Sequence, residues 1–227
     1  MEIKNEKNVT NMEIKELTIE KIKGNLFACV GGKAVVSKNR YQLNIYSDMT
    51  SQEDIEKLYE DLCKFTVDVP VDSENYLASY IAVFKNTQAD SENEFNDLLW
   101  SLLQSLNEVD TVPWNSKVSS DVRDPNFSYS LGGVAFFVIG MHPKASRISR
   151  RFPYITIVFN NRDSFGILRE KGLFEGFQES TRKNDIRIQG TINPNLANFG
   201  DSSEALQYSG MENPSLEKIK FKAKEVK

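Results

Sequence analysis

Residues 127–140 read FSYSLGGVAFFVIG. Two apolar, aromatic-rich runs flank Gly132 and Gly133. A glycine pair in that setting predicts an antiparallel hairpin, because a two-residue turn needs left-handed backbone that glycine adopts without a Cβ penalty. Around the hairpin, other strand candidates alternate with helices. RYQLNIYS (40–47) places Tyr41, Leu43 and Ile45 on one face. LASYIAVFK (77–85) and YITIVFN (154–160) are β-branched and apolar enough for central strands. Alternation alone would indicate a doubly wound parallel sheet, and the hairpin interrupts it. The predicted fold class is therefore α/β (α+β): a single domain with a mixed β-sheet, a central hairpin and packed helices.

The helices are read from a period of 3.6. In 51–66, Ile55, Leu58, Tyr59, Leu62 and Phe65 share one face, with Thr50 or Ser51 placed to cap the start. In 92–107 the stripe is Phe95, Leu98, Leu99, Leu102, Leu103 and Leu106, and Ser91 with Glu94 has the form of a capping box. A third helix is expected from Asp163 toward residue 185, weakened or split at Gly172 and Gly176. Residues 1–14 are polar and read as a loose N-terminal segment, 15–210 as the domain, and 211–227 as a C-terminal tail.

The chain has 227 residues, 40% of them hydrophobic, and a net charge of −4. That balance gives no general attraction to nucleic acid or to an anionic membrane. The longest apolar run, 132–141, is too short to cross a bilayer. The N-terminus mixes Lys with Glu and shows no signal peptide, so Cys29 and Cys63 are expected as reduced thiols in the cytoplasm. No glycine fingerprint for a dinucleotide or phosphate loop is present.

Chemistry concentrates in GMHPKASRISRR (140–151). It holds the single histidine, His142, and four cations, Lys144, Arg147, Arg150 and Arg151. A histidine at the end of a strand, stiffened by Pro143, suits a metal ligand or a general base, and arginines pair with carboxylates. A heme offers both targets, an iron and two propionates. The plainer reading is a turn histidine beside a solvated basic face. One His and two distant Cys do not make a zinc site. Ser146 and Ser149 lie near His142, but no nucleophile elbow accompanies them. Cys29, in LFACVGGKA, reads either as a small packed side chain or as a thiolate ligand, with the glycines allowing close approach of a cofactor. Trp114 reads as a pocket wall or as core. Residues 187–210 form a long polar segment in which Asn193, Asn198, Glu204, Gln207 and Tyr208 either line a substrate site or only bond the backbone.

MHPKASRISRRFPYITIVFN, followed by IQGTINPNLANFGDSSEALQYSG, resembles the YqcI/YcgG family, and LFACVGGKAVV and DLLWSLLQSLNEVDTVPWN fit its N-terminal half. The resemblance covers most of residues 25–210 and is strongest to the branch of guanitoxin-type guanidine N-hydroxylases. It implies a heme b enzyme that uses dioxygen as co-substrate and electrons from an external donor or reductase. The reaction implied is N-hydroxylation of L-arginine or a related small guanidino compound, a monooxygenase reaction. His142, the only imidazole, is then the first reading of the iron ligand, and Cys29 the second. Arg147, Arg150 and Arg151 would face the propionates. A guanidinium substrate needs an anionic partner, read as Glu204 with Asp201 behind it, while Asn193, Gln207 and Tyr208 complete the substrate side. The chain departs from the family pattern at Asn161-Arg162, where relatives carry a histidine, and at Leu206, where they carry an arginine. The missing histidine favours the alternative, a heme- or small-ligand-binding protein without oxygenase activity, and the Leu206 departure alters the pocket. A hydrolase or transferase using the basic cluster for phosphate is a third reading.

Overall fold

The computed structural model describes residues 9–212 and 214–225. Residues 1–8, 213 and 226–227 lie outside the described residues, and with them most of the segment read as loose and the end of the tail. The loose-segment reading is corrected over residues 11–14, which open helix α1 (Asn11–Lys23). Thr10 Oγ1 accepts the Glu13 amide at 3.2 Å, and the Glu13 carboxylate accepts the Thr10 amide at 2.7 Å. This reciprocal box satisfies donors that the first helical turn leaves without partners.

Helix α2 (Val30–Ser37) has no counterpart in the sequence reading. Gly31 and Gly32 in its first turn hide it, since each costs about 1 kcal/mol of helix propensity. It forms because Cys29 caps it and because Val35 and Val36 are buried. Strand β1 (Tyr41–Tyr46), helix α3 (Gln52–Asp68) and strand β2 (Ser79–Phe84) make a parallel crossover unit. Ser51 is the N-cap of α3 but makes no side-chain capping bond; Asp54 instead accepts the amides of Ser47 and Asp48. Helix α4 (Glu92–Val109) follows, with Ser91 capping the Glu94 amide at 3.2 Å.

The hairpin is strand β3 (Tyr129–Leu131) and strand β4 (Val134–Met141). Gly132 and Gly133 have φ of 57° and 75°, the left-handed backbone at both turn positions that favoured the hairpin reading. Strand β5 (Ile155–Asn161) leads to helices α5 (Asp163–Glu170) and α6 (Phe174–Gln189). The break between them holds Gly172 at φ 65°. The short helix α7 (Ala205–Tyr208) closes the polar segment.

Among the described residues, five strands order as β1-β2-β5-β4-β3; β1 and β2 pair parallel and the other neighbours antiparallel. One face carries Tyr80, Ala82 and Phe84 of β2, Phe136 and Val138 of β4, and Ile155, Ile157 and Phe159 of β5. It is sealed by the apolar stripes of α3 and α4, including Leu58, Leu62, Phe65, Phe95, Leu99 and Leu103. The tail joins this core rather than standing off it. Phe221 packs edge-on or tilted against Trp100, Trp114, Phe127 and Tyr129, with ring centroids 5.8–6.3 Å apart. Trp114 is therefore core, not a pocket wall.

The opposite face is only partly covered. Ile14 and Ile22 of α1 and Val36 of α2 pack with Leu43, Ile81, Val83 and Met141. The remaining sheet surface lies beneath α2, α6 and the polar segment, and it is there that a cleft opens. Among the described residues, no helix is long and apolar enough to cross a membrane.

Candidate functional site

Strand register builds the floor of the cleft. Ile81, Val158 and Ile139 form one cross-sheet row, and Ser79, Asn160 and Phe137 form the next. The Ser79 hydroxyl donates to Asn160 Oδ1 at 2.7 Å, and Asn160 Nδ2 donates to the Phe137 carbonyl at 3.0 Å. The polar row is thus satisfied within the floor, and the rest is apolar.

Two adjoining compartments rise from this floor and share Cys29, Gly32, Ser79, Asn160, Thr181 and Gln207. One, about 210 Å³, is lined by Arg162, Arg169, Arg182 and Glu204 among apolar walls that include Leu168, Phe177 and Phe199. The other, about 170 Å³, is lined by Ile81, Met141, Arg147, Arg150, Asp185 and Asn193. Cys29 stands where they meet. It is exposed, and its sulfur accepts the Gly32 amide at 3.3 Å from the start of α2. Gly31 and Gly32 line the cleft beside it, and a Cβ on Gly32 would fall 2.9 Å from the Phe27 ring. Glycine is needed there for close packing, whatever else it admits.

The glutamate compartment has a distinct electrostatic character. Glu204 is 4% exposed, and its Oε1 pairs with Arg162 Nη1, while Oε2 has no hydrogen-bond partner among the described residues. Burial pushes its carboxyl up to about 7, with the Arg162 charge opposing the rise. Burial likewise pulls Arg162 below its ordinary range, against the attraction of Glu204. The Arg162 guanidinium also lies over the Phe199 ring, 3.5 Å from its centroid, and Arg169 lies over Phe174 at 3.9 Å.

In the other compartment the arginines are already engaged. Arg147, 1% exposed, donates to Asp185 at 2.7 Å, to the Thr191 carbonyl at 2.8 Å and to Glu212 at 3.3 Å. Asp185 also accepts the Asn193 amide at 2.8 Å, so one buried ion pair ties the polar segment to the loop after β4. Arg150 donates to the carbonyls of Gly140, Gln207 and Tyr208 at 2.8–3.4 Å. Burial lowers it to about 10, which leaves it cationic at neutral pH. Arg151 donates to the carbonyls of Ala145 and Ser146 and lines neither compartment. Arg147 and Arg150 are thus internal stitching, tied to backbone carbonyls and carboxylates, while Lys144 and Arg151 are exposed.

His142 lies elsewhere. It extends the even-numbered series of β4, and alternation along the strand turns it toward α4. Its ring is fully buried, stacked on Phe95 with centroids 4.2 Å apart, and neither ring nitrogen has a hydrogen-bond partner among the described residues. It lines neither compartment of the cleft. Burial lowers its pKa to about 4, so the imidazole is neutral. Tyr208 is also fully buried. Its hydroxyl donates to the Phe136 carbonyl at 3.2 Å and accepts the Tyr129 amide at 3.0 Å, and its ring stacks on Trp100. Asp201 is exposed and lines neither compartment.

Of the residues singled out from sequence, Cys29, Arg147, Ser149, Arg150, Asn193, Asn198, Glu204 and Gln207 therefore line the cleft, and His142, Arg151, Asp201 and Tyr208 do not. Asp185, Arg169, Arg182 and Phe199 are additions that the sequence reading did not flag. Their helical or loop positions bear no local motif, and only the packing of α5, α6 and the polar segment brings them in. Among the described residues, no three of His, Cys, Asp and Glu gather into a metal-holding group. Comparison with curated proteins gave no match, and comparison with solved structures gave none. Comparison with protein families gave one match, to the YqcI/YcgG family over residues 18–221, and the chain belongs to that family.

Proposed function

We propose that the cleft holds heme b through Cys29 and that the chain uses it to hydroxylate a nitrogen of a small guanidino compound such as L-arginine. The observation that carries this reading is the convergence of Cys29, several arginines and the spare oxygen of Glu204 on one apolar cleft, with His142 turned to the other sheet face. In donor chemistry the lining suits the group. Cys29 offers a sulfur at the cleft wall, held by an amide donor. The floor and walls are apolar and two-sided, formed by Ile81, Ile139 and Val158 below and by Phe177 and Leu196 among the lining residues. Arg182 lines the cleft without an ion pair or hydrogen bond among the described residues and is the cation placed to meet a propionate.

When bound, heme supplies the activation of dioxygen, with two electrons from a separate reductase. The chain's own residues do the rest. Cys29 would hold the iron through its sulfur. Glu204 Oε2 accepts a substrate N–H and orients the nitrogen. The apolar walls exclude water from the reacting atoms. Gln207, shared by both compartments, supplies a further polar contact. The cytoplasm suits this reading, since it keeps both thiols reduced.

A second reading, a heme- or small-ligand-binding protein without oxygenase activity, is favoured by one observation: Arg162 already neutralises Glu204. The test is an absorption spectrum of protein produced with added heme precursor, on wild type, Cys29→Ala and His142→Phe. Loss of the Soret band in Cys29→Ala and its retention in His142→Phe supports Cys29 as ligand, and the reverse pattern returns the assignment to His142. Formation of N-hydroxyarginine from L-arginine, reductant and oxygen separates the enzyme from the binding protein.

A further inference from the structure

We infer that Arg162 is the specificity-determining residue of the cleft: its guanidinium occupies, from within the chain, the subsite in which Glu204 and Phe199 would hold a guanidinium ligand. The inference rests on reading Glu204 as a guanidinium acceptor and is independent of heme.

The geometry is that of guanidinium recognition. One nitrogen of Arg162 donates to Glu204 Oε1, and the planar group lies 3.5 Å from the centroid of the Phe199 ring. A carboxylate at the edge and an aromatic face below are the two contacts that a planar, weakly hydrated cation uses best. All three residues line the same compartment, so the subsite belongs to the cleft and not to a surface ion pair. The side chains of Arg162 and Glu204 are 12% and 5% exposed. Glu204 Oε2 has no hydrogen-bond partner among the described residues, so the carboxylate retains capacity for a second donor. An incoming guanidinium cation, however, meets a carboxylate whose charge is already balanced, with Arg169 lining the same compartment. Arg162 thereby sets how tightly the intact cleft takes a guanidinium cation, because it holds Oε1 and leaves only Oε2 to the ligand. Removing Arg162 leaves a guanidinium-shaped space with its carboxylate unpaired.

Chemical rescue tests this on the full chain without heme. Wild type, Arg162→Ala and the double variant Arg162→Ala with Glu204→Gln are titrated with methylguanidinium chloride at low millimolar concentration, with urea and sodium chloride as controls, by thermal shift and calorimetry. Saturable binding to Arg162→Ala is expected, at least about tenfold tighter than to wild type, and lost in the double variant. Equal binding to wild type and Arg162→Ala, or binding that survives Glu204→Gln, overturns the proposal. If Arg162→Ala unfolds alone, a cooperative transition that appears only with methylguanidinium supports it. Failure to fold in either condition, with Arg162→Lys folding normally, overturns it. Because the readout is apo-protein binding, a failed heme spectrum does not affect its outcome.

Discussion

Replacing His142 with phenylalanine should change the slope of stability against pH, and the sign follows from the buried ring. Between its ordinary 6.5 and about 4, the imidazole is neutral in the folded chain and protonated in the unfolded one. The unfolded state then binds more protons, so stability is complete above pH 6.5 and drains away as pH falls toward 4. Glu204 acts in the opposite sense. Its folded value of about 7 lies above the ordinary 4.5, so between those limits the folded state binds the extra proton, and stability falls as pH rises. At about 1.36 kcal/mol per pH unit, each displacement is worth about 3 kcal/mol. Relaxation and water penetration around a protonated buried ring reduce the His142 figure to about 2 kcal/mol. From pH 4.5 to 6.5 the two slopes oppose each other in wild type, that of Glu204 being the steeper.

His142→Phe keeps an aromatic ring on Phe95 and removes the titrating group. Only the Glu204 slope remains, so the variant should be more stable at pH 5 than at pH 7 by about 2 kcal/mol. Glu204→Gln should show the reverse trend. Urea unfolding of the apo protein, in half-unit steps from pH 4.5 to 7.5, reads the midpoint and m value. Any constant packing cost of the larger ring shifts every midpoint alike and leaves the slope intact. Parallel pH profiles for wild type and His142→Phe would refute the reasoning, because they would mean that the ring titrates alike in the folded and unfolded states.

Other perturbations test the frame around the cleft. Gly140→Ala would bring a Cβ to 2.6 Å from the Phe95 ring and 3.1 Å from the Tyr208 carbonyl, so calorimetry should show a loss of about 2–3 kcal/mol. Arg147→Met leaves Asp185 buried without its cation and should cost about 3–5 kcal/mol; adding Asp185→Leu should recover part of that loss in a double-mutant cycle. Phe221→Ala opens the cluster of Trp100, Trp114, Phe127 and Tyr129, and should cost about 3 kcal/mol with a change in tryptophan fluorescence.

Much of the frame is legible in sequence because local chemistry and tertiary packing agree there. The stripes of α3 and α4, the Gly132-Gly133 turn and the break at Gly172 all come from backbone preferences that the fold leaves unopposed. Helix α2 is hidden because its glycines argue against a helix, and only burial of Val35 and Val36 outweighs them. The tail is hidden for the opposite reason. Its Lys and Glu content reads as solvated, while Phe221 and Ile219 are enough to seat it on the core.

The candidate site shows where sequence proximity misleads. His142 and the arginines are neighbours along the chain, and a cofactor bridging them is the natural reading of that spacing. A strand allows no such freedom, because its period of two assigns each side chain to a face. Phe137, Ile139 and Met141 line the cleft; Phe136 and Val138 face α4, and His142 continues their series. That alternation was available in the sequence and outranks the stiffness that Pro143 confers, which sets backbone direction but not the face. Glu204 was legible as an acid in a polar segment, but its partner was not. Arg162 precedes it by forty-two positions, and only the return of the segment over β5 brings the two together. Ligand choice in the cleft consequently turns on a pairing that has no local signature, the contact of Glu204 with the chain's own guanidinium at Arg162.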